Sequence, residues 1–131
     1  MIELRYLFVY GTLRRACSHP MARFLERNSQ FIAPAKVRAL LLDLGPFPGI
    51  VENANHWTHG EIVELSDIER ILPELDQYEG CGRDPEPPLL YERRAIRAIL
   101  EDEREMEAWA YFYTGPVENY RPIKEGRYPI R

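Results

Sequence analysis

The chain has 131 residues, a length that suits one domain able to bury a core without disulfides or metals. Apolar residues make up 45% and charged residues 29%, which is typical of soluble globular proteins. A net charge of −4 gives no overall basic field for nucleic acid, and no run of about 18 apolar residues predicts a membrane-spanning helix. We therefore predict a single domain over residues 1–131 that has neither nucleic acid nor membrane as a partner.

The N-terminal segment and the two cysteines predict a cytoplasmic protein. Glu3 stands where a signal peptide would be basic, and the apolar run after it is too short. Cys17 and Cys81 are far apart and have no Cys/His pattern beside them. Neither a structural disulfide nor a zinc site is therefore expected.

The first part of the chain predicts a strand, a helix and a second extended segment. Residues 5–10 are aromatic and β-branched, as in a buried strand. Pro20 suits the first turn of a helix that Asn28 can end. Residues 31–42 favour extended structure, whereas residues 45–49 contain two prolines and predict a turn.

The middle of the chain predicts two extended pieces followed by a helical region. Residues 50–51 form the first piece, and residues 57–65 read as a strand with a bulge at Gly60. The pattern of residues 66–69 is that of a capping box at a helix start. Pro73 is expected to divide the segment into two short helices, because proline removes a helical hydrogen bond.

The last part of the chain carries the plainest strand pattern. Residues 81–90 are a proline-rich loop, and residues 91–100 and 107–113 predict two strands joined by the acidic turn 101–105. The tail from about residue 116 to 131 contains three prolines and is expected to wrap the surface or fray. Because helices and strands do not alternate strictly, a mixed sheet that closes toward a barrel is favoured over a doubly wound sheet.

The turn after the first strand is one candidate site. It consists of Tyr10, Gly11, Thr12 and Leu13. A glycine at a strand end lets successive backbone N–H groups face a ligand, and such groups form a nest suited to a carboxylate. An ordinary strand-to-loop turn accounts for the same four residues.

Glu79 is the second candidate. It lies four residues after Leu75, which places it on or near the apolar face of the predicted helix. Burial of a carboxyl group favours its neutral form and brings its pKa toward that of a general acid–base catalyst at neutral pH. A solvated carboxylate at a helix end, or an ion-pair partner for Arg93, explains the position equally well.

Aromatic residues alternate along the last predicted strand. Trp109, Tyr111 and Tyr113 share one face, and Ala110 and Phe112 take the other. Such a cluster belongs to a core more often than to a pocket, although a hydroxyl of Tyr111 or Tyr113 could reach a site as a wall residue. The three histidines show no metal-ligand spacing, and no nucleotide-binding or hydrolase motif occurs.

Six motifs taken together resemble those of the γ-glutamylcyclotransferase-like family, which includes γ-glutamylamine cyclotransferases and plant avirulence-induced proteins. They are FVYGTL at 8–13, FPGI at 47–50, GEIV at 60–63, LDQYEG at 75–80, YER at 91–93 and AWAYFY at 108–113. The resemblance covers about residues 6–115. It implies an α/β (α+β) fold with a small mixed β-barrel flanked by helices.

The same resemblance implies a function and a set of site residues. The activity would be cyclisation of a γ-glutamyl amine or amino acid to 5-oxoproline, with release of the free amine. Glu79 would be the catalytic acid–base group, and the backbone of residues 10–13 would bind the substrate's α-carboxylate. The partner would be a small γ-glutamyl molecule, without metal or cofactor.

Two other functions are compatible with these residues. The fold could serve as a non-catalytic module that binds a small molecule or a protein, in which case Glu79 need not face a pocket. A nucleic-acid-associated β-barrel using Arg93, Arg94, Arg97 and Tyr111 would need the arginines on one unbroken face. The acidic turn beside them argues against that arrangement.

Overall fold

The structure, a computed structural model, describes residues 4–11, 20–44, 48–79, 91–118 and 120–129. Within these ranges it contains six strands and two helices. In chain order they are β1 (Tyr6–Val9), α1 (Pro20–Arg27), β2 (Ser29–Asp43), β3 (Pro48–Leu65), α2 (Ile68–Glu79), β4 (Tyr91–Leu100), β5 (Glu105–Tyr113) and β6 (Arg121–Pro122).

Five strands close into a mixed barrel. The strands are hydrogen-bonded in the order β3-β1-β5-β4-β2, and a further pairing of β2 with β3 closes the ring. β1 runs parallel to β5, whereas the other pairs of the ring are antiparallel. The predicted mixed barrel flanked by helices is thereby confirmed.

The barrel interior is filled by side chains from all five strands. Phe8 and Phe112 are its largest fully buried members, and alanines occupy many of the remaining places. The buried members of this cluster are Phe8, Tyr10, Ala35, Val37, Ala39, Leu41, Ile50, Ile62, Ala98, Ala108, Ala110 and Phe112. Small side chains suit a barrel this narrow, because two bulky rings already take up much of its volume.

A second cluster covers the outer face of the barrel beneath the helices. Alternation along each strand sends Leu7 and Val9 outward while Phe8 points inward. α2 contributes Ile71, Leu72 and Leu75 to this outer cluster, with Leu25 from α1, so each helix buries the apolar stripe that its spacing predicts. Neither helix in the described ranges is long and apolar enough to cross a membrane.

β3 is one long strand, so the prediction of two separate extended pieces is wrong. Ala39 of β2 pairs with Glu52, and the preceding Arg38 pairs with Trp57. Residues 53–56, of which Asn53, Asn55 and His56 are polar, are therefore skipped in the register, although they remain extended. Their composition suggests a loop, but the ladder on either side holds the strand direction through them.

The predicted bulge at Gly60 is also wrong. Gly60 pairs with Ala35 in an unbroken stretch of register. A Cβ at this position would fall on the carbonyl oxygen of Val9 in β1. Position 60 is therefore glycine because the backbone of β1 approaches it closely. Close approach of another backbone is the other common reason for a glycine inside a strand.

α2 is continuous through Pro73, which corrects the prediction of two short helices. Burial of Ile71, Leu72 and Leu75 on both sides of the proline stabilises the helix across the lost hydrogen bond. The start also differs from the predicted capping box. The hydroxyl of Ser66 donates to the carbonyl of Asn28 (2.8 Å), and Asp67 supplies the first helical carbonyl, to Ile71 N–H (2.8 Å).

The β4–β5 hairpin forms as predicted, with β5 beginning two residues earlier, at Glu105. Beyond it, β6 pairs with the end of β2, and Ile123 N–H donates to Leu41 O (2.8 Å). Gly126 then accepts from His59 N–H (2.7 Å). This part of the tail therefore lies along β2 and β3.

Candidate active site

The end of β1 reaches one mouth of the barrel. Tyr10 continues the alternation of β1 inward and is buried, and its hydroxyl donates to the carbonyl of Tyr111 (2.6 Å). Gly11 follows and is also buried, close enough to Pro48 that a Cβ would lie 2.7 Å from Pro48 Cγ. The other two predicted binding residues, Thr12 and Leu13, lie outside the described residues.

The start of β3 meets this turn. The carbonyl of Pro48 accepts a hydrogen bond from the hydroxyl of Tyr91 (2.5 Å), the first residue of β4. The backbone of Ile50 hydrogen-bonds to the Tyr10 hydroxyl, which acts against the rise in its pKa. Residues of three separate motifs are thus held together at one end of the barrel.

Glu79 is the last residue of α2 and is partly buried. Desolvation by burial raises the pKa of its carboxyl to about 7, and the charge of Asp76 contributes to the rise. An ordinary glutamate would be fully ionised at this pH, so Glu79 is set to exchange a proton near neutrality.

Glu79 lies within electrostatic reach of the tyrosines at the barrel mouth. Burial raises the pKa of Tyr10, and the charges of Tyr91 and Glu79 raise it further. Burial also raises the pKa of Tyr91, with Glu79 the next contributor. Glu79 at the end of α2 therefore interacts electrostatically with Tyr10, which follows β1, and with Tyr91 at the start of β4.

Asp76, one turn before Glu79, forms a compact ionic network. Arg93 of β4 donates to both its carboxylate oxygens, from Nε to Oδ1 (2.8 Å) and from Nη2 to Oδ2 (3.0 Å). Tyr111 of β5 donates its hydroxyl to Oδ1 (2.7 Å). The guanidinium of Arg93 also lies over the ring of Trp109, 4.3 Å from its centroid. The sequence offered Glu79 as an ion-pair partner for Arg93. In the structure Arg93 pairs with Asp76.

The aromatic residues of β5 divide between the two faces as predicted. Tyr111 and Tyr113 are buried in the outer cluster, whereas Phe112 fills the interior. The Tyr113 hydroxyl donates to the carbonyl of Pro116 (3.1 Å), and its ring meets that of Tyr91 edge-on, with centroids 6.4 Å apart. Tyr111 therefore contacts Asp76 and Tyr113 contacts Tyr91, and Asp76 and Tyr91 both interact electrostatically with Glu79.

A match to a known protein family agrees with this arrangement. Residues 7–129 match the family described as "Gamma-glutamyl cyclotransferase, AIG2-like". The chain belongs to this family. Among its relatives, MJ1514 of Methanocaldococcus jannaschii is 32% identical over 113 residues, which cover 84% of this chain and 85% of that protein.

Another relative is the "Gamma-glutamylcyclotransferase family protein YtfP" of Escherichia coli (strain K12). It is 30% identical over 123 residues, 92% of each chain. The solution structure of YtfP from Escherichia coli is similar to this fold with a TM-score of 0.63 at 28% identity, covering 94% of this chain and 95% of that one. A crystal structure of a mouse AIG2-like protein has a TM-score of 0.75 at 21% identity, covering 98% of this chain and 90% of that one, which shows the shared fold.

For this member of the γ-glutamyl cyclotransferase family, the described residues include no cluster of three or more His, Cys, Asp or Glu side chains placed to hold a metal. The arginines of the nucleic-acid hypothesis are each paired with carboxylates. Arg94 contacts Glu52 (3.1 Å), and Arg97 contacts Glu105 (3.7 Å), in addition to the Arg93–Asp76 pair. These pairs do not favour an unbroken basic face.

Sequence reasoning missed Asp76 and Tyr91 as members of the site. Asp76 stands three residues before Glu79, a spacing that puts both on one helical face. That spacing and its place in the motif LDQYEG at 75–80 are the signals for it in the sequence, whereas its partners lie on strands further along the chain. Tyr91 belongs to a motif already singled out, but its bond to Pro48 depends on the closure of the barrel.

Proposed function

We propose that this protein is a γ-glutamylcyclotransferase that converts a γ-glutamyl amine or amino acid to 5-oxoproline and releases the free amine. The observation that carries the proposal is Glu79, a carboxyl whose pKa is raised to about 7 and which interacts electrostatically with Tyr10 after β1. Membership of the γ-glutamyl cyclotransferase family supports the same activity.

The reaction is an intramolecular acyl transfer. The α-amine of the glutamyl group attacks its own γ-carbonyl carbon, so that a new C–N bond closes a five-membered ring. The bond from the γ-carbon to the leaving nitrogen then breaks. Because nucleophile and carbonyl belong to one molecule, an enzyme that holds the chain in its folded conformation supplies much of the rate advantage.

Glu79 would move the proton that this reaction transfers. The α-amine has a reference pKa of about 7.7–8.0 and is mostly protonated at neutral pH, so a base must first take a proton from it. After the attack the same nitrogen loses a second proton to become the lactam N–H. The leaving nitrogen must receive one proton as its bond breaks, and the released amine takes up the other from solvent. A carboxyl with a pKa near 7 performs both steps in turn and ends in its starting form.

The turn after β1 would bind the α-carboxylate. In this proposal the backbone N–H groups of Gly11, Thr12 and Leu13 would form the anion-binding nest. Tyr10, whose hydroxyl donates to Tyr111 O, would anchor the start of this turn to the barrel. Close packing of Gly11 on Pro48 leaves no room for a Cβ there, so the turn requires glycine at this position. Charge neutralisation would come from N–H dipoles and would need no metal.

Release of 5-oxoproline from a panel of γ-glutamyl amines and dipeptides tests the activity, and Glu79→Gln tests the mechanism. Glutamine keeps the size of the side chain but cannot cycle a proton, so the rate should fall by about 10²-fold or more. Glu79→Asp should also be slow, because the carboxyl is withdrawn by one methylene. Glu74→Gln changes an exposed carboxylate of the same helix and should leave the rate unchanged.

The result that would overturn the mechanism is 5-oxoproline release by Glu79→Gln at the wild-type rate. A wild-type protein that binds γ-glutamyl compounds, but releases no 5-oxoproline from any of them, would instead establish the non-catalytic binding module. Isothermal titration of the same panel separates this outcome from a failure to bind.

A further inference from the structure

Asp76 joins three elements at the base of the candidate site. It lies on α2, with 15% of its side chain exposed, and 23% of the Arg93 side chain on β4 is exposed. The two parallel hydrogen bonds between them form a planar fork, which fixes orientation as well as distance. The Tyr111 hydroxyl from β5 adds a third bond to the same carboxylate.

This network reaches the mouth of the barrel through the backbone of β5. The carbonyl of Tyr111 accepts the hydrogen bond from Tyr10, while the hydroxyl of Tyr111 donates to Asp76. One residue of β5 therefore connects the end of β1 to α2. Arg93 is in turn held from behind by the ring of Trp109.

Glu79 follows Asp76 at the i,i+3 spacing of a helix, where Cβ atoms are about 5–6 Å apart. A displacement of the last turn of α2 would carry both carboxyl groups with it. The clamp on Asp76 therefore decides where Glu79 stands relative to the turn after β1.

We infer that Asp76 is a positioning residue for Glu79: clamped by Arg93 and Tyr111, it fixes the last turn of α2 and sets the charge beside the acid–base carboxyl. The inference rests on the proposed function in treating Glu79 as the group that exchanges the proton. Asp76 itself touches no substrate in this scheme.

The charges around Glu79 define what a change at Asp76 should do. Asp76 from α2 disfavours the ionised form of Glu79, after the larger effect of burial. Tyr10 after β1 and Tyr91 at the start of β4 also interact with it electrostatically. Phenols are neutral at ordinary pH, and burial raises the pKa of both further above it. Arg93 is the cation of the network and is held on Asp76.

The decisive experiment titrates the Glu79 carboxyl directly by 13C NMR in Asp76→Asn and in Arg93→Gln. Asp76→Asn removes the neighbouring negative charge and frees the Arg93 cation, so the Glu79 midpoint should move to lower pH. Arg93→Gln leaves Asp76 without its cation, so the midpoint should move to higher pH. A purely structural role for the network predicts a loss of stability without shifts of opposite sign.

Kinetics on the same variants give the second readout. The pH profile of 5-oxoproline release should move with the titration midpoint, and kcat in Asp76→Asn should fall at least about tenfold, because small displacements of a catalytic group are costly. Glu52→Gln is the matched control. It removes an exposed carboxylate of β3 that pairs with Arg94, the neighbour of Arg93 on β4, and both the Glu79 midpoint and kcat should stay unchanged.

The outcomes separate this inference from the proposed function. Shifted midpoints in a protein that releases no 5-oxoproline would uphold Asp76 as the residue that tunes Glu79 and would reject the activity. An active wild type with unshifted midpoints in both variants would overturn the inference and leave the activity standing. If Asp76→Asn does not fold, Arg93→Gln decides alone, and an unshifted midpoint there overturns the inference.

Discussion

The hydroxyl of Tyr10 donates a hydrogen bond of 2.6 Å to the backbone carbonyl of Tyr111, which is 101 residues away in the chain. β1 and β5 form the parallel pair of the barrel, with Leu7 opposite Trp109. The Tyr10–Tyr111 bond lies further along, beyond the last residue of β1. It therefore connects the turn of the candidate site to β5, whose Tyr111 also donates a hydrogen bond to Asp76.

Replacing Tyr10 by Phe should destabilise the protein by about 1–3 kcal/mol. The substitution leaves the carbonyl of Tyr111 buried without this donor, and it removes the partner of the Ile50 backbone. Urea denaturation at pH 7 measures the change. Tyr6→Phe is the control, because Tyr6 lies on the same strand and is only partly buried, and it should cost less than about 0.5 kcal/mol. Equal losses in the two variants would contradict the importance of the Tyr10 bond.

The rate of 5-oxoproline formation should depend on the ionisation of Glu79. Because its pKa is about 7, kcat/KM should rise from pH 5 and level off above pH 7 as the carboxylate form becomes dominant. In Glu79→Gln the slow residual reaction should lack this inflection and follow the substrate amine alone. An inflection near pH 4.5 in the wild type would show that burial does not tune this group.

Stability should change with pH in the same window, and the sign follows from proton binding. The unfolded carboxyl has a pKa near 4.5 and the folded one about 7, so between these values the folded state holds more protons. The contribution of Glu79 to stability therefore falls as pH rises from about 4.5 to 7. In urea denaturation across pH 4–8, the free energy of unfolding of Glu79→Gln should rise relative to that of the wild type over this range. Glu74→Gln should run parallel to the wild type.

The fold was largely predictable because its signals are local. Alternation in β5 separates Phe112 from Tyr111, and helical spacing brings Leu72 and Leu75 of α2 to one face. The errors arose where a long-range contact overrides a local preference. Residues 53–56 are mostly polar and resemble a loop, yet the pairing of β2 with the segments on both sides of them keeps β3 continuous. Pro73 resembles a break, yet buried neighbours hold α2 together.

The candidate site was predictable only in part. Glu79 stands out in the sequence because a carboxyl at an apolar helical position needs a reason. The hydrogen-bond network of Asp76 does not stand out in the sequence. Arg93 lies 17 residues away and Tyr111 35 residues away, and no local pattern pairs them with Asp76. The sequence suggested Glu79 as an ion-pair partner for Arg93, whereas the structure pairs Arg93 with Asp76, and that pairing depends on the orientation of α2 on the barrel.

Gly60→Ala should destabilise the barrel by about 1–3 kcal/mol, as expected when a group is forced into a filled space. The added Cβ would fall on the carbonyl oxygen of Val9, a backbone atom fixed by the pairing of β1 with β3. Thermal or urea unfolding measures the loss. Asn55→Ala, in the exposed part of β3 that the register skips, should change stability by less than about 0.5 kcal/mol. A Gly60→Ala protein as stable as the wild type would mean that β1 can shift at this point.

Tyr113 is predicted to be a wall of the substrate pocket. Its ring meets Tyr91 on one side and Tyr120 on the other, with centroids 6.4 and 5.8 Å apart, and its hydroxyl donates to Pro116 O. Tyr113→Phe keeps the ring and its contacts, so the melting temperature should change little. Loss of the hydroxyl should weaken binding of a γ-glutamyl compound about fivefold, the effect of one hydrogen bond of about 1 kcal/mol.

Titration calorimetry and a melting curve on the same sample separate the two roles of Tyr113. Tyr6→Phe is the control, because Tyr6 lies on β1 and packs against the interior cluster, whereas Tyr113 belongs to the outer one, and it should leave affinity unchanged. Unchanged affinity together with a lowered melting temperature in Tyr113→Phe would assign the hydroxyl to the core.

Tyr111→Phe should behave differently from both variants. Its hydroxyl donates to Asp76, so the substitution should lower kcat as well as weaken binding.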